Sequence, residues 1–209
     1  MVRTPSATND DWTGLFDGQR TAGLRAYGGD DFPADHWRIG GGRLSAIPGP
    51  GVDLVTNETF ADFELEFLWA VASGGNGGVI YRVIESDQPS WASGPEYQIL
   101  DDAAHADGVD PVTSAGAVYD LLAPGAGKRL ASVGEDNIGR IVVRDGSVEH
   151  WLNGDLIVAY EWAGPDVRAK IAASKFRDLP DFMAAETGHV VLQHHGEEVS
   201  FGSIRIRPL

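Results

Sequence analysis

The stretch Gly94-Pro95-Glu96-Tyr97-Gln98-Ile99-Leu100-Asp101-Asp102 gathers groups from which a catalyst can be built. Glu96 and Gln98 are two residues apart, so an extended chain presents a carboxylate and a carboxamide on one face, with Tyr97 and Ile99 on the other. Asp101 falls on the opposite face from Glu96 unless a β-bulge intervenes, and bulges are frequent beside active sites. Arg82 shares its face with Ile80 and Ile84, an apolar setting in which a guanidinium needs a carboxylate, and Glu96 is the expected partner. Alternation after the apolar run Val190 to Leu192 puts Gln193 and His195 on one face and His194 on the other. An imidazole titrates at about 6.5 when unperturbed, so His195 can move a proton near neutral pH, the requirement for general acid or base catalysis. Trp91, in the Ser-Trp-Ala-Ser-Gly loop just before Glu96, offers an aromatic platform of the kind that stacks on the apolar face of a sugar ring. Each group also has a plainer reading: solvated sheet residues, a structural ion pair, a strand-end histidine.

Other chemistries are excluded by type. The 209 residues contain no cysteine, which removes disulfides, thiolate zinc sites and cysteine nucleophiles. His194 and His195 point apart, and no His-x-His or His-Glu-x-x-His pattern exists, so no metal or other cofactor is expected. Asp101 and Asp102 leave a calcium site open. Gly74 to Gly78 has neither the lysine nor the following helix of a phosphate loop, and no Gly-x-Ser-x-Gly elbow is present. A formal charge of -15 repels nucleic acid, whose binding draws on lysine and arginine. The expected partner is a small carbohydrate or glycoside, with no nucleic acid and no membrane; the oligomeric state stays open. The polar start without an apolar segment reads as cytoplasmic, or secreted if a signal was removed.

These groups need strands to hold them. Phe63, Leu65, Phe67 and Trp69 alternate with Glu64 and Glu66, the period of a half-buried strand. Gly74 to Gly78 reads as the turn of an antiparallel hairpin joining that strand to Val79 to Ile84. A second hairpin spans Trp37 to Ile47 with Trp37, Ile39 and Leu44 inward, and further strands are expected at 96–100, 116–121, 139–143, 147–152, 155–160, 188–193 and 200–206. Asn153-Gly154 is a strong hairpin turn. One short peripheral helix is expected over 165–176, with Pro165 at its first position. Trp12, Trp37 and Trp69 are expected in the core. The fold class is all-β: a sandwich of two antiparallel sheets in a single domain over 12–209, after a disordered lead-in over 1–11.

Ordered stretches along almost the whole chain resemble the 3-keto-disaccharide (3-keto-glycoside) hydrolase family, formerly a domain of unknown function. They include Leu15-Phe16-Asp17-Gly18, Asp53-Leu54-Val55-Thr56, Asn76-Gly77-Gly78-Val79-Ile80-Tyr81-Arg82, the Gly94 to Asp102 stretch, Gly116-Ala117-Val118-Tyr119-Asp120, Ser174-Lys175-Phe176 and Leu192-Gln193-His194-His195-Gly196. The family pattern carries Asp where this chain has His194 and Trp where it has Asp136. The resemblance implies a concanavalin-like jelly roll that holds a sugar on one sheet, and it adds Tyr119 and Asn137 to the substrate-binding set of Arg82, Gln98, Gln193, Trp91 and Asp101. It also implies cleavage of 3-keto-glycosides. The ketone acidifies the C2 proton, so the C1 substituent leaves by elimination and water adds back. Glu96 and His195 are then the catalytic pair, one taking the C2 proton and the other assisting the leaving oxygen. Two alternatives remain at this point: a non-catalytic carbohydrate-binding module and a conventional glycosidase, which needs two carboxylates across the scissile bond.

Overall fold

The computed structural model of the chain describes residues 11–209; the lead-in expected over 1–11 lies, but for Asp11, outside the described residues. Thirteen strands follow in order: β1 Thr13–Phe16, β2 Leu24–Ala26, β3 Trp37–Gly40, β4 Arg43–Ala46, β5 Leu54–Thr56, β6 Phe63–Val71, β7 Asn76–Val83, β8 Glu96–Leu100, β9 Asn137–Arg144, β10 Ser147–Leu152, β11 Asp155–Glu161, β12 His189–His194 and β13 Val199–Pro208. The one α-helix among the described residues, α1, covers Pro165–Ala173. Two antiparallel sheets form. The larger has the order β11-β10-β9-β6-β13-β4-β3 with β1 also on β13, and the smaller has the order β2-β5-β12-β7-β8.

Alternation decides what each sheet buries. Phe63, Leu65, Phe67 and Trp69 of β6 face inward, and Val79 and Tyr81 of β7, Tyr97 and Ile99 of β8, and Val190 and Leu192 of β12 meet them from the smaller sheet. Fully burying side chains of this size is worth about 1.5–3 kcal/mol each, which is what clamps the two layers together. A hydrogen-bonded polar chain runs through the core. Tyr160 and Tyr81 hydroxyls lie 2.7 Å apart, Tyr81 Oη is 2.9 Å from His150 Nε2, and His150 Nδ1 is 3.0 Å from the Gly116 carbonyl. Burial drives the His150 pKa down to about 4, so the imidazole is neutral; Nδ1–H donates to the carbonyl and Nε2 accepts.

Several expectations are corrected. β6 and β7 are not a hairpin: β6 pairs with β9 and β13, whereas β7 pairs with β8 and β12. The glycine run instead carries the chain over the edge from one sheet to the other, where a side chain on Gly75 would come within 2.7 Å of the Glu198 carbonyl. The 116–121 stretch is not a strand, because Gly116 and Asp120 have positive φ and Leu121 folds back to donate to the Val118 carbonyl. It does dock beside β8, through Gly116 N to Gln98 O at 2.8 Å and Tyr119 N to Glu96 O at 3.1 Å. Ile39 points outward, 37% exposed, while Trp37 and Leu44 are buried. Trp12 lies on the outer face of the larger sheet under two guanidiniums, Arg205 at 4.6 Å and Arg207 at 4.8 Å from its ring. The helix stops at Ala173, earlier than expected. Ser174 turns extended and its hydroxyl both donates to the Ile171 carbonyl and accepts from Phe176 N–H, which starts a separate short turn over Lys175–Asp178.

Candidate active site

The outer face of the smaller sheet carries the candidate site. Register across β12, β7 and β8 aligns Gln193, Gly78 and Gln98 in one row, with Ile80 opposite Glu96 in the next. Gly78 is required there. A Cβ at that position would stand 2.3 Å from Glu96 Oε1, so the Glu96 side chain lies in the gap that the glycine leaves. Above this floor sit three loop segments: the Trp91 turn, the Asp107 turn with the docked Tyr119, and the Lys175 turn. Together they enclose a cavity of about 100 Å³. A second cavity of about 380 Å³ adjoins it, and Trp91, Gln193 and His195 line both.

Of the residues singled out from the sequence, Glu96, Gln98, Gln193, His195, Trp91 and Tyr119 line the inner cavity. Gln98 shapes the floor more than it offers hydrogen bonds, since its Nε2 donates to the Thr113 carbonyl and its Oε1 accepts from Ile99 N–H. Tyr119 donates to Asp107 at 3.0 Å. His195 Nδ1 is held by Glu197 at 2.8 Å, which orients the ring.

Three expected residues lie elsewhere. Arg82 sits at a register shift in β7 with φ 54°, packed so closely on Gly188 that a side chain there would strike its backbone. The bulge turns its side chain away from Glu96. The guanidinium, 4% exposed, donates to the Ala61 carbonyl, pairs with Asp62 at 3.4 Å and lies 4.4 Å from the Trp162 ring centroid. Asn137 belongs to the other sheet, where its Oδ1 accepts from Ala131 N–H and from Asn153 Nδ2. Asp101 ties loops together by accepting from Gly74 and Ala103 N–H. Its neighbour Asp102 is committed to Lys128 at 2.7 Å and to Ala115 N–H.

The structure adds Lys175, Asp107 and Asn76 to the inner cavity and Asp53 to the outer one. Lys175 is the important addition. The Ser174 cap that ends α1 presents it, and Phe176 anchors the turn by stacking on Phe182 at 4.0 Å between ring centroids. Its ammonium lies 4.3 Å from the Tyr119 ring centroid and 5.9 Å from that of Trp91, and no carboxylate comes within 4.0 Å among the described residues. The Ser174-Lys175-Phe176 and Asp53-Leu54-Val55-Thr56 stretches carry the family resemblance, and that was the available signal; local pattern made Lys175 only a helix-end charge.

Electrostatics single out Glu96. Burial, chiefly, pushes its pKa up to about 8; the charges of Asp53 and Asp107 push the same way, against the opposing pull of Lys175 and the Gln193 amide at 3.5 Å. A carboxyl so poised exchanges a proton near neutral pH. Asp53 is likewise raised by burial, tempered by hydrogen bonds from His194 N–H at 2.7 Å and the Ser90 hydroxyl at 2.5 Å. One buried side-chain atom at this face, Gln193 Oε1, has no hydrogen-bond partner among the described residues.

Residues 11–207 match the profile of the 3-keto-alpha-glucoside-1,2-lyase-like domain. The chain is 32% identical over 231 residues to the 3-keto-disaccharide hydrolase of Bacteroides thetaiotaomicron, covering 96% of this chain and 79% of that protein. A crystal structure of a candidate glycosyl hydrolase from Parabacteroides distasonis superposes with a TM-score of 0.87 at 27% identity, over 98% of both chains. A second from the same organism gives 0.74 at 25%, over 96% of this chain and 100% of the other. A family GH16 endo-β-1,3(4)-glucanase, at a TM-score of 0.53 and 11% identity, covers 97% of this chain and 93% of its own. That last likeness bears on the fold alone, a jelly-roll sandwich of the concanavalin-like kind.

Proposed function

This chain belongs to the 3-keto-alpha-glucoside-1,2-lyase-like family, and from that premise we propose that it is a glycoside hydrolase that cleaves 3-keto-glycosides by elimination followed by hydration. The observation that carries the reading is the convergence of Glu96, Lys175 and His195 on one cavity. Glu96 takes the proton from C2, which the neighbouring C3 ketone has acidified. The electron pair forms a C1–C2 double bond, the C1–O bond breaks, and His195 gives a proton to the departing oxygen. In the second half water adds at C1, with His195 taking its proton, and Glu96 returns a proton to C2. The sum is hydrolysis.

Negative charge collects on the C3 oxygen as C2 is deprotonated, and a positive group held nearby without a carboxylate of its own stabilises it. Lys175 has that position, in place of the Arg82 expected from sequence. Gln193 serves Glu96 in both protonation states, because an amide donates to a carboxylate through nitrogen and accepts from a carboxylic acid through oxygen. His195 is the acid and Glu96 the base on placement: His195 lines the junction of the two cavities, where the leaving bond would lie, and Glu96 lines only the inner one.

Incubation with ordinary and 3-keto disaccharides, followed by NMR of the products, tests the reading. Cleavage of the keto sugar alone is expected, with an ascending pH limb centred near 8 as Glu96 ionises. Cleavage of both sugars would favour a conventional glycosidase, and cleavage of neither a binding module.

A further inference from the structure

We propose that Asn76 is a substrate-binding residue whose amide NH2 holds the hydroxyl oxygen on C2 of the keto ring, and that His105 is the positioning residue that fixes which end of the amide does so. This rests on the assignment of the inner cavity to a 3-keto sugar. The orientation follows from counting donors. His105 caps the short turn Ala106–Val109, and its Nδ1 accepts from Asp107 N–H at 3.1 Å. A ring nitrogen that accepts carries no proton, so the imidazole is neutral and its hydrogen is on Nε2. Asn76 Nδ2 stands 3.4 Å from that Nε2, which would set one donor against another. Amide oxygen and nitrogen are alike in size, so the network assigns them: Oδ1 belongs toward His105, where it accepts, and the NH2 takes the other end. No other hydrogen bond holds the Asn76 amide among the described residues, and the side chain lines the inner cavity, so the NH2 is what it presents there.

Register places that donor. Asn76 opens β7 on the same outer face as Gly78, the residue over which the Glu96 carboxyl lies. Gly77 pairs with His194, which brings His195 beside Asn76, and the His105 ring stands edge to face with that of His195 at 6.4 Å between centroids. Asn76 thus sits between the base that takes the C2 hydrogen and the acid that serves the oxygen on C1. C2 carries its hydrogen and its hydroxyl on opposite sides of the ring, so a donor that holds the hydroxyl oxygen turns the hydrogen toward Glu96. Asn76 is 2% exposed. A donor buried to that extent is unfavourable until an acceptor meets it, and a hydroxyl oxygen is one.

Imidazole ¹⁵N spectra, with His105 assigned from His105→Asn, are expected to show a bare Nδ1 and a protonated Nε2; the reverse tautomer overturns the orientation. Titration with 3-keto-1,5-anhydroglucitol, which has no leaving group on C1, is followed at the Asn76 side-chain NH2 signals, assigned with Asn76→Ala. They are expected to shift, and the 2-deoxy analogue to leave them in place. In kinetics, Asn76→Ala should lower kcat/KM about tenfold for methyl 3-keto-glucoside, the worth of one hydrogen bond, and less than about twofold for its 2-deoxy counterpart. His105→Asn keeps an acceptor to cap the turn and loses the Nε2 donor, so a purely structural histidine would tolerate it. The same substrate-selective loss, about threefold or more, is expected there. Equal losses on the two substrates, no loss, or NH2 signals that do not distinguish the two analogues overturn the proposal. The titration needs no turnover, so a chain that cleaves neither keto substrate while its NH2 signals respond as expected would refute the catalytic reading and leave Asn76 in its role.

Discussion

The two outer faces of the sandwich treat charge in opposite ways. On the larger sheet, Arg205 pairs with Glu66 at 2.6 Å, Arg207 Nε with Glu64 at 2.9 Å, and Arg140 with Glu64 at 3.3 Å, each across neighbouring strands. Trp151 and Trp12 lie beneath these guanidiniums. Among the described residues, Glu96 on the smaller sheet has an amide at 3.5 Å as its one side-chain partner, Lys175 has aromatic faces and no carboxylate within 4.0 Å, and Gln193 Oε1 has no hydrogen-bond partner. Paired charges neutralise one another and leave no reactivity to use. Desolvated charges kept apart lose stability, and their shifted proton affinity is what a substrate can exploit.

The comparison breaks most readily at Glu96. Glu96→Gln should lower kcat/KM about 10³-fold or more, as loss of a general base does. It should also stabilise the fold. Glu96 ionises near 8 when folded and near 4.5 when unfolded, so between those values the folded chain keeps a proton that the unfolded chain has released, and stability falls as pH rises through that window. The variant loses that penalty, and its Tm at pH 8 should exceed that of the parent by several degrees; an equal or lower Tm would show that the carboxyl is not strained in its place.

Lys175→Met comes next: under the proposed mechanism kcat falls about 10²-fold, because the charge opposite the proposed enolate is lost. Because Lys175 holds the Glu96 pKa down, the ascending limb of the pH profile should also move to higher pH in this variant. A kcat loss with an unmoved limb would separate the lysine from the carboxyl. Gly78→Ala is expected to cost about tenfold in kcat/KM, since the added methyl must displace a carboxyl whose oxygen would stand 2.3 Å away; restored activity in Gly78→Ala with Glu96→Asp would sharpen the steric explanation.

The smallest effect belongs to the other face. Arg207→Ala should leave kcat/KM unchanged and lower stability by about 0.5 kcal/mol, less at high salt, as for a partly exposed ion pair. Thermal melts at two salt concentrations check it. A large activity loss there would end the division between a structural and a working face.

Much of the strand framework was legible locally. The alternation in β6 and β8 marks both strands and puts Glu96 and Gln98 on one side, and Asn153 and Gly154 both adopt positive φ at the turn between β10 and β11, as such a pair favours. Gln193 and His195 share a cavity, as their spacing implies. A period of two is a property of the chain itself, so residue types alone determined which way each of these side chains faces.

Which sheet a strand joins is settled by contacts distant in sequence, and only the tertiary structure sent β6 and β7 to opposite layers. The same holds for the site's reassigned members. A bulge packed on Gly188 turned Arg82 from the expected partner of Glu96 into a clamp on Asp62, and a serine cap at the end of α1 brought Lys175 over the cavity from almost eighty residues away in sequence. Local pattern carries no information about what folds over a sheet, because that follows from how loops pack on it and not from the strand's own alternation.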